Sequence, residues 1–105
     1  MCIRDRTIPA AIGVPIPDGI SDTTAASVLL KGLTVEMLVN RVTKIKPTDR
    51  LLVHAAAGGV GHLLVQAAKK MGAMVIGTVG SETKADVATA LGCDHVILYL
   101  SLIHI

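Results

Sequence analysis

Aromatic side chains are nearly absent from this sequence, which has one tyrosine, Tyr99, and neither tryptophan nor phenylalanine. Modules that bind single-stranded nucleic acid stack the bases on aromatic rings, so this composition argues against such a module. Charge is also sparse: 17% of the 105 residues are charged, and the formal net charge is +2. Because that excess is small and scattered along the chain, no nucleic-acid partner is expected.

Cysteine is the next scarce residue, with Cys2 and Cys93 near opposite ends of the chain. They predict neither a disulfide framework nor, together with the histidines, a metal site, because no pair has the spacing of metal ligands. Unpaired thiols are typical of a reducing compartment, and we expect a cytoplasmic protein. The histidines are His54, His62, His95 and His104.

Long apolar runs are missing too, although 51% of the residues are hydrophobic. The longest such run, residues 96–103, is far shorter than the ~20 residues that a membrane-spanning helix needs. The first residues also lack the apolar centre of a secretory signal. We therefore expect one compact domain without a membrane association.

The first part of the chain is punctuated by prolines and glycines, so residues 7–20 are predicted to be an extended linker. Ser21 or Asp22 then has the right chemistry to cap a helix. We expect Gly32 to interrupt this helix, and a second helical stretch to follow with Leu33, Met37 and Leu38 on one face.

The remainder alternates between apolar runs and amphipathic runs. Residues 51–54, 74–79 and 95–99 predict three buried parallel strands. Apolar residues at helical spacing over 60–71, and the run from Ser81 to Leu91, predict the two helices between them.

This order predicts an α/β fold, namely the βαβαβ half of a Rossmann-type doubly wound parallel sheet, preceded by helices. Because crossovers between parallel strands are right-handed, both connecting helices are expected on one face of the sheet. Gly72 and Gly92 are expected to end those two helices.

The joint between the first strand and the next helix consists of small residues, Ala55-Ala56-Ala57-Gly58-Gly59-Val60-Gly61. Unpaired N–H groups and the positive end of the helix dipole make such a joint favourable for a phosphate. We expect Gly58 and Gly61 to permit the close approach, and Gly59 and Val60 to offer backbone N–H groups. The pattern G-x-G-x-x-G has alanine in its first position here, and a turn needed only for packing is the alternative.

The residues at the end of the second strand indicate whether a dinucleotide-binding domain prefers NAD or NADP. An enzyme that prefers NAD carries an acidic residue there for the ribose hydroxyls, whereas Glu82 comes slightly late for that role. Gly80 leaves room, and Ser81 and Lys84 form a small donor cluster suited to the 2′-phosphate of NADPH. The alternative for Lys84 is a solvated helix residue.

With these residues laid out, the chain from about residue 14 to residue 99 resembles the zinc-independent quinone oxidoreductases, the zeta-crystallin-like branch of the medium-chain dehydrogenase/reductase superfamily. The pieces that carry the resemblance are Val14-Pro15, Pro17-Asp18-Gly19, Lys31-Gly32-Leu33-Thr34, Lys46-Pro47, residues 54–61, residues 77–81, Lys84 and Tyr99.

The resemblance implies NADPH-dependent reduction of quinones or related activated carbonyls, in which the cofactor supplies the hydride. It implies that Gly59 and Val60 contact the pyrophosphate, and that Tyr99 lies beside the 2′-phosphate. Thr34 would face the nicotinamide side, while Met37 stands where many relatives have an aromatic residue. It further implies that the adenosine phosphate end is held by Gly80, Ser81 and Lys84.

Family members are much longer than this chain and are usually homodimers, so the resemblance implies a fragment that is inactive by itself. It implies no catalytic residue within the chain. Residues 1–6 and 100–105 depart from the family and are expected to be foreign extensions, with the partial NADP(H)-binding domain over 21–99.

Three other functions remain open. The first is the cofactor domain of another zinc-free relative, such as an enoyl or alkenal reductase. The second is a non-catalytic dinucleotide-binding or RNA-associated protein, which the charge balance does not favour. The third is a methyltransferase with a similar glycine turn. Lys84 argues against it, because that fold usually has an acidic residue at the end of the second strand to bind the adenosine ribose.

Overall fold

The computed structural model describes residues 5–99. Predictions that fall on residues 1–4 and 100–105, including most of both expected foreign extensions, therefore lie outside the described residues. Residues 7–20 are irregular, as predicted, apart from one short 3₁₀ turn at Ala10–Ile12.

Helix α1 spans Asp22–Glu36 and begins at Ser21, whose side-chain oxygen accepts a hydrogen bond from the backbone N–H of Thr24 at 3.1 Å. The predicted interruption at Gly32 is wrong, because the helix continues through it into a π-helical turn at Met37–Val42. A glycine inside a helix costs only about 1 kcal/mol.

Burial beyond Gly32 offsets that cost. Val35 and Val39, which follow it, are 6% and 3% exposed and anchor this stretch. Of the apolar residues predicted to share one face there, Leu33 and Met37 are exposed and Leu38 is half-buried.

The three predicted strands form one parallel sheet in the order β1-β2-β3. Strand β1 spans Arg50–Val53, β2 spans Met74–Val79 and β3 spans His95–Leu98. The predicted bounds differ by one residue at the ends of β1 and β3. All three strands end on the side of the sheet where the predicted site residues lie.

Two helices connect the strands: α2 at Gly59–Lys70 and α3 at Glu82–Leu91. They pack against each other and share one core with the sheet, as predicted. Gly72 and Gly92 follow these helices with φ angles of +87° and +114°, in the left-handed region that favours glycine.

The core is built from small side chains because the sequence has almost no aromatic ones. Val65 and Val75 are fully buried between α2 and β2, and Ala88 of α3 joins them. The opposite face of the sheet carries Leu52, which is 57% exposed. Among the described residues, no helix has both the length and the apolar character needed to cross a bilayer.

Candidate functional site

The turn after β1 is organised by one alanine in an unusual conformation. Ala55 has a φ of +53°, and its carbonyl oxygen accepts a hydrogen bond from the Gly58 N–H at 2.8 Å. This places the Ala55 carbonyl against the start of α2. A Cβ added to Gly61 would overlap that oxygen and lie 2.9 Å from the Ala56 Cα, so only glycine fits at position 61.

The first N–H groups of α2 face the turn without protein partners. Gly58 is the N-cap residue and provides no side chain, and its carbonyl accepts from the His62 N–H at 2.7 Å. Within residues 5–99, no acceptor pairs with the N–H groups of Gly59, Val60 or Gly61. These donors, at the positive end of the helix dipole, are suited to an anion.

Thr78 of β2 ties the turn to the sheet. Its hydroxyl oxygen accepts from the Ala55 N–H at 3.3 Å and lies 3.1 Å from Nδ1 of His54. Its backbone carbonyl accepts from the Ala56 N–H at 3.0 Å. Thr78 is 7% exposed, and the sequence arguments did not single it out.

A small cleft of about 70 Å³ lies between the turn and the end of β2. Gly58, Gly80, Lys84 and Tyr99 line it, together with alanines of the turn and Val79. A Cβ on Gly80 would lie 2.5 Å from the Tyr99 hydroxyl, so the glycine allows the phenol to cross the end of β2. Four of the predicted cofactor-binding residues therefore meet at one place.

Ser81 and Lys84 begin helix α3 beside this cleft. The Ser81 side-chain oxygen accepts from the Lys84 N–H at 3.3 Å, which makes Ser81 the N-cap of α3 as predicted. Both side chains are exposed, and Lys84 forms no ion pair with any residue from 5 to 99. Its ammonium group is therefore available for a ligand anion.

A second cleft, of about 260 Å³, separates α1 from the same turn. Ser27 and Lys31 of α1 line one side of this cleft, and Gly58, Gly59 and His62 line the other. The Lys31 Nζ atom lies 2.7 Å from the position that a Cβ on Gly59 would take. Sequence reasoning gave Lys31 no role, because its approach to the turn depends on the packing of α1 against α2.

Thr34 is the predicted site residue that belongs neither to these clefts, nor to the glycine turn, nor to the start of α3. It is half-buried on α1, one turn beyond Lys31, and its hydroxyl donates to the Leu30 carbonyl at 3.0 Å. The residues that line the two clefts do not include it. Its predicted contact with the nicotinamide remains a prediction.

Two titratable groups with shifted pKa values lie away from the turn. Burial raises the pKa of the Cys93 thiol, whose sulfur lies 2.9 Å from the position of a Cβ on Gly77. Cys93 is thus a small packed residue. The Val75 N–H and the Lys69 ammonium, which both donate to Asp94, lower the pKa of that carboxyl group.

No cluster of three metal-binding side chains occurs among residues 5–99. Three parallel strands, a glycine turn at the start of α2 and an exposed lysine at the start of α3 are the features of a Rossmann-type dinucleotide-binding domain. Comparisons with known proteins show which members of this class the chain is similar to.

Residues 59–103 match the family model described as "Zinc-binding dehydrogenase". A 2-haloacrylate reductase from a Burkholderia species is 46% identical over 98 residues, which is 91% of this chain and 29% of that protein. A quinone oxidoreductase from Salmonella typhimurium is 50% identical over 84 residues, or 80% of this chain and 26% of its own length.

Solved structures agree with the sequence matches. The quinone oxidoreductase of Pseudomonas syringae superposes with a TM-score of 0.83 at 48% identity, over 88% of this chain and 28% of that one. The quinone oxidoreductase of Escherichia coli, solved in complex with NADPH, superposes with a TM-score of 0.80 at 47% identity, over 83% of this chain and 27% of that one. Over most of its length the chain is therefore similar to one part of the quinone oxidoreductases. It spans between a quarter and a third of the length of these relatives.

Proposed function

We propose that this chain binds NADPH as part of the dinucleotide-binding domain of a reductase. The observation that carries the proposal is the single cleft where the glycine turn, Gly80, Lys84 and Tyr99 meet. Two of the solved relatives, at 47% and 43% identity, are described as complexes with NADPH.

The free N–H groups at the start of α2 would receive the diphosphate. Gly59 is exposed and Val60 is half-buried at the turn, so a phosphate can reach their N–H groups. Gly61 supports this arrangement by letting α2 begin directly against the Ala55 carbonyl. Lys31, whose ammonium group lies over Gly59, would add a positive charge on the side facing α1.

The 2′-phosphate would lie at the start of α3. The Lys84 ammonium and the Ser81 hydroxyl are donors on one exposed turn, and no carboxylate among residues 5–99 pairs with Lys84. Tyr99 would line the same end of the site, across Gly80. A dinucleotide without the 2′-phosphate would not use Lys84, and this predicts a preference for NADPH over NADH.

For the whole protein we propose hydride transfer to a quinone or a related activated carbonyl. The bound nicotinamide supplies the hydride, and the residues of this chain hold and orient the dinucleotide. The support is the naming of the relatives as quinone oxidoreductases. A homodimeric, cytoplasmic protein without a nucleic-acid partner belongs to the same proposal and rests on the sequence arguments.

A second substrate class has specific support. Another relative, 46% identical over 98 residues, is named a 2-haloacrylate reductase. An activated, conjugated acid is therefore the alternative substrate. Turnover of NADPH by the full-length protein with a quinone, and separately with a halogenated acrylate, distinguishes the two classes.

A titration of the 105-residue chain with NADPH and with NADH, followed by nicotinamide fluorescence, tests the binding proposal. We expect saturable binding with a preference for NADPH, and circular dichroism reports whether the chain is folded. A folded chain that binds neither dinucleotide would contradict the proposal. If the chain is unfolded, the same titration is performed with the full-length protein.

A further inference from the structure

Thr78 connects three consecutive residues of the glycine turn. Its hydroxyl oxygen accepts a hydrogen bond from the Ala55 N–H and is hydrogen-bonded to the His54 ring. Its carbonyl oxygen accepts from the Ala56 N–H. A threonine hydroxyl has one hydrogen to donate and lone pairs to accept with. It can therefore accept from Ala55 and donate to Nδ1 of His54 at the same time.

Ala55 needs such support because its conformation is unfavourable for alanine. Left-handed backbone costs a residue with a Cβ about 1–2 kcal/mol, and Ala55 has a φ of +53°. Each hydrogen bond that fixes its N–H and its carbonyl offsets part of that cost. Thr78 fixes the N–H, and Gly58 fixes the carbonyl.

The direction of the Ala55 carbonyl determines how α2 begins. That oxygen accepts a hydrogen bond from the Gly58 N–H. It also lies so close to Gly61 that a Cβ at position 61 would overlap it. If Ala55 relaxed out of the left-handed region, its carbonyl would rotate, and Gly58 would lose this bond. The free N–H groups of Gly59 and Val60 would then point in other directions.

We propose that the Thr78 hydroxyl is a positioning group that holds Ala55 left-handed and thereby keeps the diphosphate-binding N–H groups aligned. This inference rests on the proposed binding of NADPH for its functional consequence. The positioning itself is a property of the chain without any ligand, and it is testable on that level.

The first test is backbone amide hydrogen exchange by NMR on the 105-residue chain. Thr78→Val removes the hydroxyl, and we expect the Ala55 and Gly58 amides to exchange faster while Val65 and Val75, in the core, keep their rates. Thr78→Ser keeps the hydroxyl and is expected to keep the slow exchange. Unchanged Ala55 and Gly58 exchange in Thr78→Val would overturn the proposal, whether or not NADPH binds.

The second test separates the turn from the adenosine end of the site. In Thr78→Val we expect NADPH and NADH to bind about 2- to 12-fold more weakly, the range that corresponds to one lost hydrogen bond. We expect 2′-AMP, which has no diphosphate, to bind as in the wild type. Equal weakening of NADPH and 2′-AMP would indicate a general loss of structure and would contradict the positioning role.

A background substitution guards against a variant that fails to fold. Glycine adopts left-handed backbone without the steric cost, so Ala55→Gly should reduce the effect of Thr78→Val on both exchange and affinity. Equal effects in the two backgrounds would overturn the proposal. Thr89→Val removes a hydroxyl that bonds within α3 and serves as the matched control. If the wild type binds no dinucleotide, the proposed function fails, while hydrogen exchange still decides the role of Thr78.

Discussion

The hydroxyl of Tyr99 lies 2.5 Å from the point where a side chain on Gly80 would begin. The phenol therefore crosses the end of β2 only because residue 80 has no Cβ. Tyr99 and Lys84 are brought to the same cleft by this arrangement, although 15 positions separate them in sequence.

Gly80→Ala is expected to displace the Tyr99 ring and to weaken NADPH binding. The nearest atom of that side chain to the new methyl group is the hydroxyl oxygen, at 2.5 Å, with the ring carbon that bears it at 3.1 Å. Tyr99→Phe removes that oxygen, so Gly80→Ala should cost less affinity when it is combined with Tyr99→Phe than when it is made in the wild type. Fluorescence titration of the wild type, both single variants and the double variant measures the coupling, and additive effects would contradict a contact between the two residues.

Lys84→Ala is expected to weaken NADPH binding by about tenfold or more while NADH binding changes little, because a charge-assisted hydrogen bond contributes about 1.5–3 kcal/mol. Lys70, an exposed lysine in the last turn of α2, is the matched control. Equal losses for NADPH and NADH in Lys84→Ala would show that Lys84 does not contact the 2′-phosphate.

Lys31→Gln is expected to weaken NADPH and NADH to the same degree. The Lys31 ammonium lies over Gly59, where both dinucleotides would place their diphosphate. The substitution removes a positive charge that is placed at the diphosphate and does not contact the 2′-phosphate. Isothermal titration with both dinucleotides checks this, and a loss confined to NADPH would place Lys31 at the other end of the site.

Gly61→Ala is expected to destabilise the fold by about 1–3 kcal/mol or more, as overpacking against a rigid backbone does. The added methyl group would overlap the Ala55 carbonyl, which cannot retreat without breaking the turn. Gly32→Ala is the control, because nothing lies within 4 Å of its Cβ position and alanine favours the helix. It should raise the free energy of unfolding by about 0.5–1 kcal/mol. Urea denaturation measures both, and similar effects of the two substitutions would contradict the predicted contact.

Asp94 is expected to make stability fall at acidic pH. The Val75 N–H and the Lys69 ammonium hold the pKa of Asp94 below its ordinary value of 3.8, so the folded chain favours the carboxylate. The stabilisation is complete above that ordinary value and is lost as the pH falls through the lower pKa of the folded state. Thermal unfolding between neutral and strongly acidic pH should lose part of its pH dependence in Asp94→Asn. An unchanged profile would mean that Asp94 adds nothing to acid sensitivity.

Features that depend on near neighbours in sequence were predictable. Ser81 and Gly92 bound helix α3 because an N-cap bonds three residues ahead and a left-handed glycine ends the helix locally. The glycine turn was recognisable for the same reason, since strand, small residues and helix follow directly along the chain. Neighbouring ends of parallel strands then brought Gly58 and Gly80 to one edge.

Features that depend on tertiary packing were not predictable. Gly32 lies inside a helix because Val35 and Val39 are buried, which the local glycine signal could not reveal. Lys31 reaches Gly59 only through the packing of α1 against α2. The bond from Ala55 to Thr78 depends on strand pairing across 23 positions, so neither residue had a distinguishing pattern of its own.

The scarcity of aromatic residues has a spectroscopic consequence. Tyr99 is the one tyrosine of the chain, and the chain has no tryptophan, whose fluorescence would mask that of tyrosine. Since its ring lines the cleft with Lys84, the ultraviolet emission of this chain originates at the proposed adenosine end of the site. Quenching of that emission would therefore report occupancy at this position directly, without any attached dye and without a background from the core.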